Sequence, residues 1–111
     1  MARSESNIQR EIYFKLNRGN TRVFRNNVGS TTTNKGEFIK FGLEVGSGDL
    51  IGWESIEITP DMVGQKIARF LSVEVKNGNG GRTTEAQKNW CNIVNRFGGR
   101  AIITNNVEDL K

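Results

Sequence analysis

The sequence predicts an α/β protein in which a mixed β-sheet is flanked by helices, with the core order α-β-β-β-α-β. Two amphipathic helical patterns lie at residues 4–16 and 84–97, and short runs of alternating apolar residues lie between and after them. The second helix joins a strand at 67–76 to a strand at 100–104, and such a crossover makes two strands parallel. A length of 111 residues predicts that 1–111 is a single domain.

The first helix has apolar residues at every fourth position, which predicts one buried face. These residues are Ile8, Ile12 and Leu16. Ser4 is the expected N-cap. At 100° per residue, Glu5 and Gln9 fall within about 40° of the centre of this stripe, whereas Glu11 lies roughly 100° from it. Polar groups on a buried stripe need partners, so Glu5, or alternatively Glu11, is a candidate member of a polar cluster.

Shorter elements follow the first helix. Residues 21–25 form a strand candidate, and the polar segment 26–36 is rich in turn residues and predicts a loop. Residues 37–43 alternate weakly and predict a second strand. A glycine-rich approach then leads to a stronger strand candidate at 49–58.

The turn residues 59–64 predict that the strand at 49–58 and the strand at 67–76 form an antiparallel hairpin. A hairpin centred in this turn places Asp49 opposite Glu74, with Cβ atoms roughly 5 Å apart. Two such carboxylates repel unless they share a proton or hold a cation, and oxygen ligands suit Mg²⁺ or Mn²⁺. Glu74 and Lys76 alone would be an ordinary charge pair on an exposed strand face.

Lys76 lies two residues beyond Glu74 on the same face, where its ammonium can reach a group bound at the cation. The chain contains no histidine and one cysteine, Cys91. A zinc site built from Cys and His, an internal disulfide, and nucleophiles activated by His are therefore excluded. An enzyme with this composition would rely on carboxylates, lysine and a hard cation.

A glycine-rich loop after Lys76 leads to the second helix, where Thr84 and Gln87 have the spacing of a capping box. Gln87 taken alone is explained by this capping role. Gly98 is the expected C-cap of the helix, and the tail 105–111 has the composition of one further helical turn.

The charge balance favours a polyanionic partner. Sixteen Lys and Arg against twelve Asp and Glu give a net charge of +4, which fits nucleic acid or an evenly solvated basic surface. Arg22, Arg25 and Lys40 are candidate phosphate contacts beside the loop 26–36. No apolar run approaches the roughly 20 residues of a membrane span, and the start lacks a signal-peptide core, so no membrane contact and a cytoplasmic location are expected.

Four segments follow one another over nearly the whole chain: E-S-N-I-Q-R-E-I, G-S-G-D-L-I-G-W, V-E-V-K-N-G and T-T-E-A-Q-K-N-W. In this order they resemble the virus-type replication-repair nuclease (VRR-NUC) domain of the PD-(D/E)xK nuclease superfamily, in the compact stand-alone form that occurs in phages. Gly48 stands where the superfamily usually has proline. This difference changes backbone stiffness and leaves the ligand chemistry unchanged.

The resemblance implies a restriction-endonuclease-like fold and a Mg²⁺- or Mn²⁺-dependent endonuclease that hydrolyses phosphodiester bonds in branched DNA such as Holliday junctions. It also implies a homodimer in a phage-infected or bacterial cell. Asp49, Glu74 and the Val75 carbonyl would hold the metal, and Lys76 would position the attacking water. The implied catalytic residues are Glu5, Asp49, Glu74, Lys76 and Gln87. The alternatives are a non-catalytic nucleic-acid-binding module on the same fold and a structural phage protein with a basic surface.

Overall fold

A computed structural model describes residues 3–77 and 81–110. This part of the chain is mixed α/β, with two α-helices and small antiparallel and parallel sheets. The helices are α1 (Glu5–Leu16) and α2 (Glu85–Arg96), and the strands are β1 (Thr21–Arg25), β2 (Gly29–Thr32), β3 (Phe38–Phe41), β4 (Leu50–Glu54), β5 (Leu71–Val75) and β6 (Arg100–Thr104). Within the described residues no helix is both long enough and apolar enough to cross a membrane.

The chain divides into two compact units, Met1–Glu54 and Ser55–Lys111. The first unit contains α1 and the strands β1 to β4, and the second contains β5, α2 and β6. Residues 78–80, in the glycine-rich loop that the sequence predicts before α2, lie outside the described residues. The assignment of the whole chain to a single domain stays a prediction.

In the first unit, Ser4 caps α1 as the sequence predicts, and its Oγ accepts a hydrogen bond from the Asn7 N–H at 3.1 Å. Asn17 ends the helix. Its Oδ1 accepts from the Val23 N–H at 2.8 Å, which ties the end of α1 to β1. Val23 is buried on β1, the strand that contacts α1. The apolar stripe of α1 is only partly covered, because Ile8, Ile12 and Leu16 remain 40%, 44% and 41% exposed and no described residue of the helix is buried, so the predicted buried face is corrected.

β1 pairs antiparallel with β4, in a register that places Val23 opposite Gly52. The two backbones approach closely at this point, because a Cβ atom on Gly52 would lie 1.8 Å from the Arg22 carbonyl oxygen. Only glycine fits there. The close approach fixes β4 against β1, and the chain enters β4 directly after Asp49.

β2 and β3 form a hairpin, and β2 lies inside the segment 26–36 that the sequence predicts as a loop. The hairpin turn is well defined: the Gly36 N–H donates to the Thr33 carbonyl at 2.9 Å, and the Thr33 N–H donates to the Glu37 carbonyl at 2.8 Å. Gly36 has a φ of 82°, the left-handed conformation expected after a type I turn in a three-residue hairpin loop. The loop prediction was wrong because polar Ser and Thr residues conceal a short strand.

In the second unit, β5 and β6 are parallel and α2 connects them, which confirms the predicted crossover. α2 begins after Thr84 and packs Val94, which is 1% exposed, against the strands. The C-cap is Phe97 rather than the expected Gly98, and Gly98 follows with a left-handed φ of 97°. The tail forms a 3₁₀ turn at Val107–Leu110, in line with the predicted helical turn.

The predicted strands at 49–58 and 67–76 are longer than the observed ones, because β4 ends at Glu54 and β5 begins at Leu71. Their pairing as a hairpin stays a prediction. In the second unit, Ser55 Oγ donates to the Phe97 carbonyl at 2.8 Å, and Arg69 Nε donates to the Gly98 carbonyl at 3.1 Å. Both side chains therefore bond to the turn between α2 and β6.

Candidate active site

Glu74, Lys76 and Gln87 form a closed cluster between β5 and α2. Gln87 Nε2 donates to Glu74 Oε1 at 2.7 Å, and Lys76 Nζ donates to Gln87 Oε1 at 2.7 Å. Lys76 Nζ lies 3.9 Å from Glu74 Oε1 and also donates to the Arg82 carbonyl at 3.1 Å. The Lys76 side chain is only 15% exposed. The lysine of a solvated charge pair would be far more exposed.

Gln87 holds the cluster and caps α2 at the same time. Its Oε1 also accepts from the Thr84 N–H at 3.0 Å, while its own N–H donates to Thr84 Oγ1 at 3.1 Å, so the predicted capping box is present. Oε1 accepts from both Lys76 and Thr84, and Nε2 donates to Glu74, so these bonds define which way the Gln87 amide is oriented. The helix terminus therefore positions the side chain that connects Glu74 with Lys76.

Glu74 keeps half of its carboxylate available. The two contacts described for this side chain both fall on Oε1, and the side chain is 45% exposed. It lines a groove of about 210 Å³ together with Ser72 and Trp90. Trp90 Nε1 donates to Ser72 Oγ at 2.8 Å, which fixes the floor of the groove beside the carboxylate. Oε2 can therefore accept a ligand without breaking the cluster.

The Val75 carbonyl lies on the edge of β5 that does not face β6. At the ends of the parallel ladder, the Arg100 N–H donates to the Phe70 carbonyl at 2.8 Å and the Lys76 N–H donates to the Thr104 carbonyl at 2.9 Å. Even-numbered residues of this strand therefore bond to β6, and the backbone groups of Val75 point to the other edge. The carbonyl next to Glu74 is thus turned away from the ladder.

In the first unit, Glu5 and Asp49 line a single depression of about 210 Å³, with Gln9 and the apolar stripe of α1 around them. The stripe therefore carries Glu5 and Gln9 as the helical spacing predicts. Glu11, the alternative to Glu5, instead pairs with Arg3 at 2.5 Å. α1 and the start of β4 thus bring one pair of predicted acids together.

Asn26 is a positioning residue that the sequence did not reveal. Its backbone N–H donates to the Asp49 carbonyl at 2.8 Å, and its Nδ2 donates to Ser47 Oγ at 2.7 Å and to the Gly48 carbonyl at 2.9 Å. Its Oδ1 accepts from the Leu43 N–H at 2.9 Å. One side chain therefore holds the glycine-rich segment that leads to Asp49.

The donor chemistry of both groups fits a hard divalent cation, because carboxylate and backbone carbonyl oxygens are the ligands such ions prefer. Glu74 with the Val75 carbonyl offers one such set, and Glu5 with Asp49 offers another. Neither unit, as far as its residues are described, contains a group of three or more Cys, Asp or Glu side chains that could hold a metal by themselves. A divalent cation takes about six or more oxygen ligands, so either set would need further oxygen ligands.

The predicted DNA contacts occupy different positions in the first unit. Arg22 Nη1 donates to the Gly19 carbonyl at 3.0 Å and to the Thr21 carbonyl, so this guanidinium stabilises the turn before β1. Arg25 lies three residues further and therefore on the opposite face of β1. Lys40 is exposed on β3. The three cations do not share one strand face.

Models of protein families, curated proteins and solved structures were compared with this chain, and none matches it. Two groups of residues in the chain point to a function. One is the cluster of Glu74, Gln87 and Lys76 in the second unit, and the other is the depression that Glu5 and Asp49 share in the first unit.

Proposed function

We propose that this chain is a metal-dependent, structure-selective endodeoxyribonuclease of the VRR-NUC type, with a restriction-endonuclease-like fold, acting on branched DNA. The observation that carries the proposal is the closed cluster of Glu74, Gln87 and Lys76. An acid and a lysine two residues apart on a strand are common, but here a helix-capping amide bonds both of them. Preorganisation of this kind is typical of catalytic groups.

Glu74, Asp49 and the Val75 carbonyl are the residues that would hold Mg²⁺ or Mn²⁺. The bound ion would polarise the phosphodiester and neutralise negative charge that develops during hydrolysis. Glu74 would bind it through the oxygen that the cluster leaves available. Glu5, which lines the same depression as Asp49, would add a further acidic group beside Asp49.

Lys76 would act on the attacking water or on a phosphate oxygen. An ammonium has three N–H donors, and in the structure two of them are used on neutral acceptors, Gln87 Oε1 and the Arg82 carbonyl. Among the described residues, the next acceptor is Glu74 Oε1, at 3.9 Å. The third donor is thus weakly engaged. This third N–H would donate a hydrogen bond to a water or to the transition-state oxygen, while the other two hydrogen bonds keep the ammonium in place.

Lys40, Arg25 and Arg22 would contact DNA phosphates, and the net charge of +4 supports a polyanionic substrate. A homodimer would present two active sites to the two strands of a branch, and two-fold dimers are the commonest oligomers. Sedimentation of the purified protein tests this part. A monomer at the concentrations used for cleavage would remove the dimer from the proposal and leave the nuclease activity open to its own test.

The test of the function is cleavage of labelled four-way junction, flap and linear duplex DNA with Mg²⁺, with Mn²⁺ and with EDTA. Lys76→Met is expected to lower the cleavage rate by about 10²- to 10³-fold, because it removes a donor to the developing charge. The matched control is Lys88→Met, since Lys88 Nζ lies 3.6 Å from Glu85 Oε1 but both side chains are largely exposed. This control should cleave like the wild type.

If the wild type leaves every substrate intact under all metal conditions, the enzyme proposal fails. Binding of the same DNA without cleavage would then favour the non-catalytic nucleic-acid-binding module. Equal losses in Lys76→Met and Lys88→Met would show a general charge effect and remove Lys76 from the active site.

A further inference from the structure

The β2–β3 hairpin presents two different faces. Its register pairs Ser30 with Lys40 and Thr32 with Phe38. Side chains of paired residues share a face, and residues two apart on a strand share it as well. One face of the hairpin therefore combines an aromatic ring, an ammonium and two hydroxyl groups. This face is called the Phe38 face below.

The opposite face carries Phe41, which has a structural role. Phe41 lies across from Gly29, and a Cβ atom on Gly29 would come within 2.5 Å of the Phe41 ring. The ring thus covers the glycine and stabilises the pairing there. Phe38 has no comparable function: its side chain is 65% exposed, and within the described residues it has no ring partner.

Phe38 and Lys40 line a groove of about 430 Å³, to which Gly29 and Phe41 also contribute from the other face of the hairpin. The chain segment after β3 forms another wall of the groove with Leu43, Glu44 and Val45. A cavity of this volume falls within the range of small-ligand sites, which extends from about 300 to 1,000 Å³. The groove therefore has room for a planar group that lies against the Phe38 ring.

The charges at the groove favour a nucleotide over an apolar peptide. Lys40 provides an exposed cation two residues from the ring, which suits a phosphate. Glu44 provides a carboxylate, which accepts hydrogen bonds from the amino or ring N–H groups of a base but repels phosphate. Aromatic stacking combined with a nearby cation is how single-stranded nucleic acid is bound without reading its sequence.

We infer that the Phe38 face binds an unpaired nucleotide of single-stranded DNA, with the base stacked on Phe38 and the adjacent phosphate at Lys40. This inference rests on the proposed function, because the unpaired nucleotide would belong to the branched DNA substrate. Such a substrate exposes unpaired nucleotides next to its duplex arms. The hairpin would then select the substrate, and the catalytic residues would cut it.

The experiment measures binding of a labelled single-stranded oligodeoxynucleotide and of the matching duplex by fluorescence anisotropy, in EDTA so that no strand is cut. Phe38→Ala is expected to weaken single-strand binding between about 5-fold and 150-fold, the effect of losing one stacked base. Duplex binding should be unchanged, and Phe38→Trp should retain the single-strand affinity. The matched control is Phe14→Ala, because Phe14 on α1 is 66% exposed, as much as Phe38.

The inference is overturned if Phe38→Ala binds the single strand like the wild type, or if Phe14→Ala weakens binding equally. It is also overturned if Phe38→Ala changes only the oligomeric state, because a second copy of the chain would then be the occupant of the groove. Cleavage is scored separately. A protein that binds single strands through Phe38 but cuts no DNA would retain this inference and end the nuclease proposal.

Discussion

Two acidic residues are fixed in opposite ways in the two units. In the second unit, Glu74 is held by its own carboxylate, which accepts from Gln87 Nε2 at 2.7 Å. In the first unit, Asp49 is held by its backbone, whose carbonyl accepts from the Asn26 N–H at 2.8 Å. In Glu74 the position of the carboxylate is therefore fixed. In Asp49 the position of the backbone is fixed, and the residue lines an open depression together with Glu5.

The difference predicts different sensitivities. A network of side-chain bonds fails when one member changes its charge or shape, even though the fold persists. The segment before Asp49 is also held by the Asn26 side chain, and a substitution that removes those bonds lowers the stability of the fold as well. Substitutions in the second unit should therefore affect chemistry before stability, and substitutions around Asp49 should affect both.

The largest effect is expected from the acids themselves. Glu74→Gln and Asp49→Asn should each lower the Mg²⁺-dependent cleavage rate by more than the about 10- to 100-fold that is typical for residues orienting a metal ligand. Each substitution keeps the size of the side chain and removes its negative charge. The measurement is single-turnover cleavage over a series of Mg²⁺ concentrations.

Glu85→Gln is the control for these acids, since Glu85 is an exposed acid on α2. It should cleave at the wild-type rate. If Asp49→Asn also cleaves at that rate, the depression in the first unit has no part in the reaction and the comparison between the two acids loses its functional meaning. If only Glu74→Gln cleaves at the wild-type rate, the cluster of Glu74, Gln87 and Lys76 has a structural role and no catalytic one.

The next effect concerns Gln87. Gln87→Glu should keep the capping box, because a glutamate at this position also accepts from the N-cap N–H. It would also place a second carboxylate beside Glu74 in place of a donor. We expect a loss of cleavage of about 10- to 100-fold with the free energy of unfolding nearly unchanged. Gln87→Ala should lose cleavage and, in addition, about 1 kcal/mol of stability with the cap.

The pH dependence distinguishes this explanation from simple loss of a contact. Two adjacent carboxylates repel, so one of them takes up a proton more readily as the pH falls. A protonated glutamate can donate to Glu74 as the amide does. The activity of Gln87→Glu relative to wild type should therefore rise toward acid pH, whereas that of Gln87→Ala should not. Parallel profiles for both variants would contradict the bridging role of the amide.

The elements that the sequence predicted correctly depend on short-range signals. Thr84 and Gln87 are three residues apart, and the capping box at this spacing was confirmed together with the helix that it begins. The parallel pairing of β5 and β6 follows from the crossover through that helix. Such features are readable because the residues that form them are neighbours in the chain or belong to one supersecondary motif.

The features that the sequence missed depend on distant partners. The strands at 49–58 and 67–76 were predicted too long, since β4 ends at Glu54, β5 begins at Leu71, and the Ser55 and Arg69 side chains bond to the turn after α2. Asn26 was part of a segment predicted to be a loop, and its side-chain partners lie 17 to 22 residues away. No local sequence pattern indicates such bonds, because Asn26 is one of many polar residues in loops and nothing in the neighbouring sequence distinguishes it from the others.

The smallest effect is expected from Asn26, and it addresses how Asp49 is held. Asn26→Ala removes the side-chain bonds to Ser47, Gly48 and Leu43, which should lower the free energy of unfolding by about 1 to 3 kcal/mol. Cleavage should also fall, because the backbone before Asp49 is no longer fixed. Chemical denaturation and single-turnover cleavage measure the two effects. The control is Asn27→Ala, at the exposed neighbouring position, which should change neither stability nor cleavage. If Asn26→Ala loses stability but not cleavage, the catalytic position of Asp49 does not depend on the Asn26 side chain.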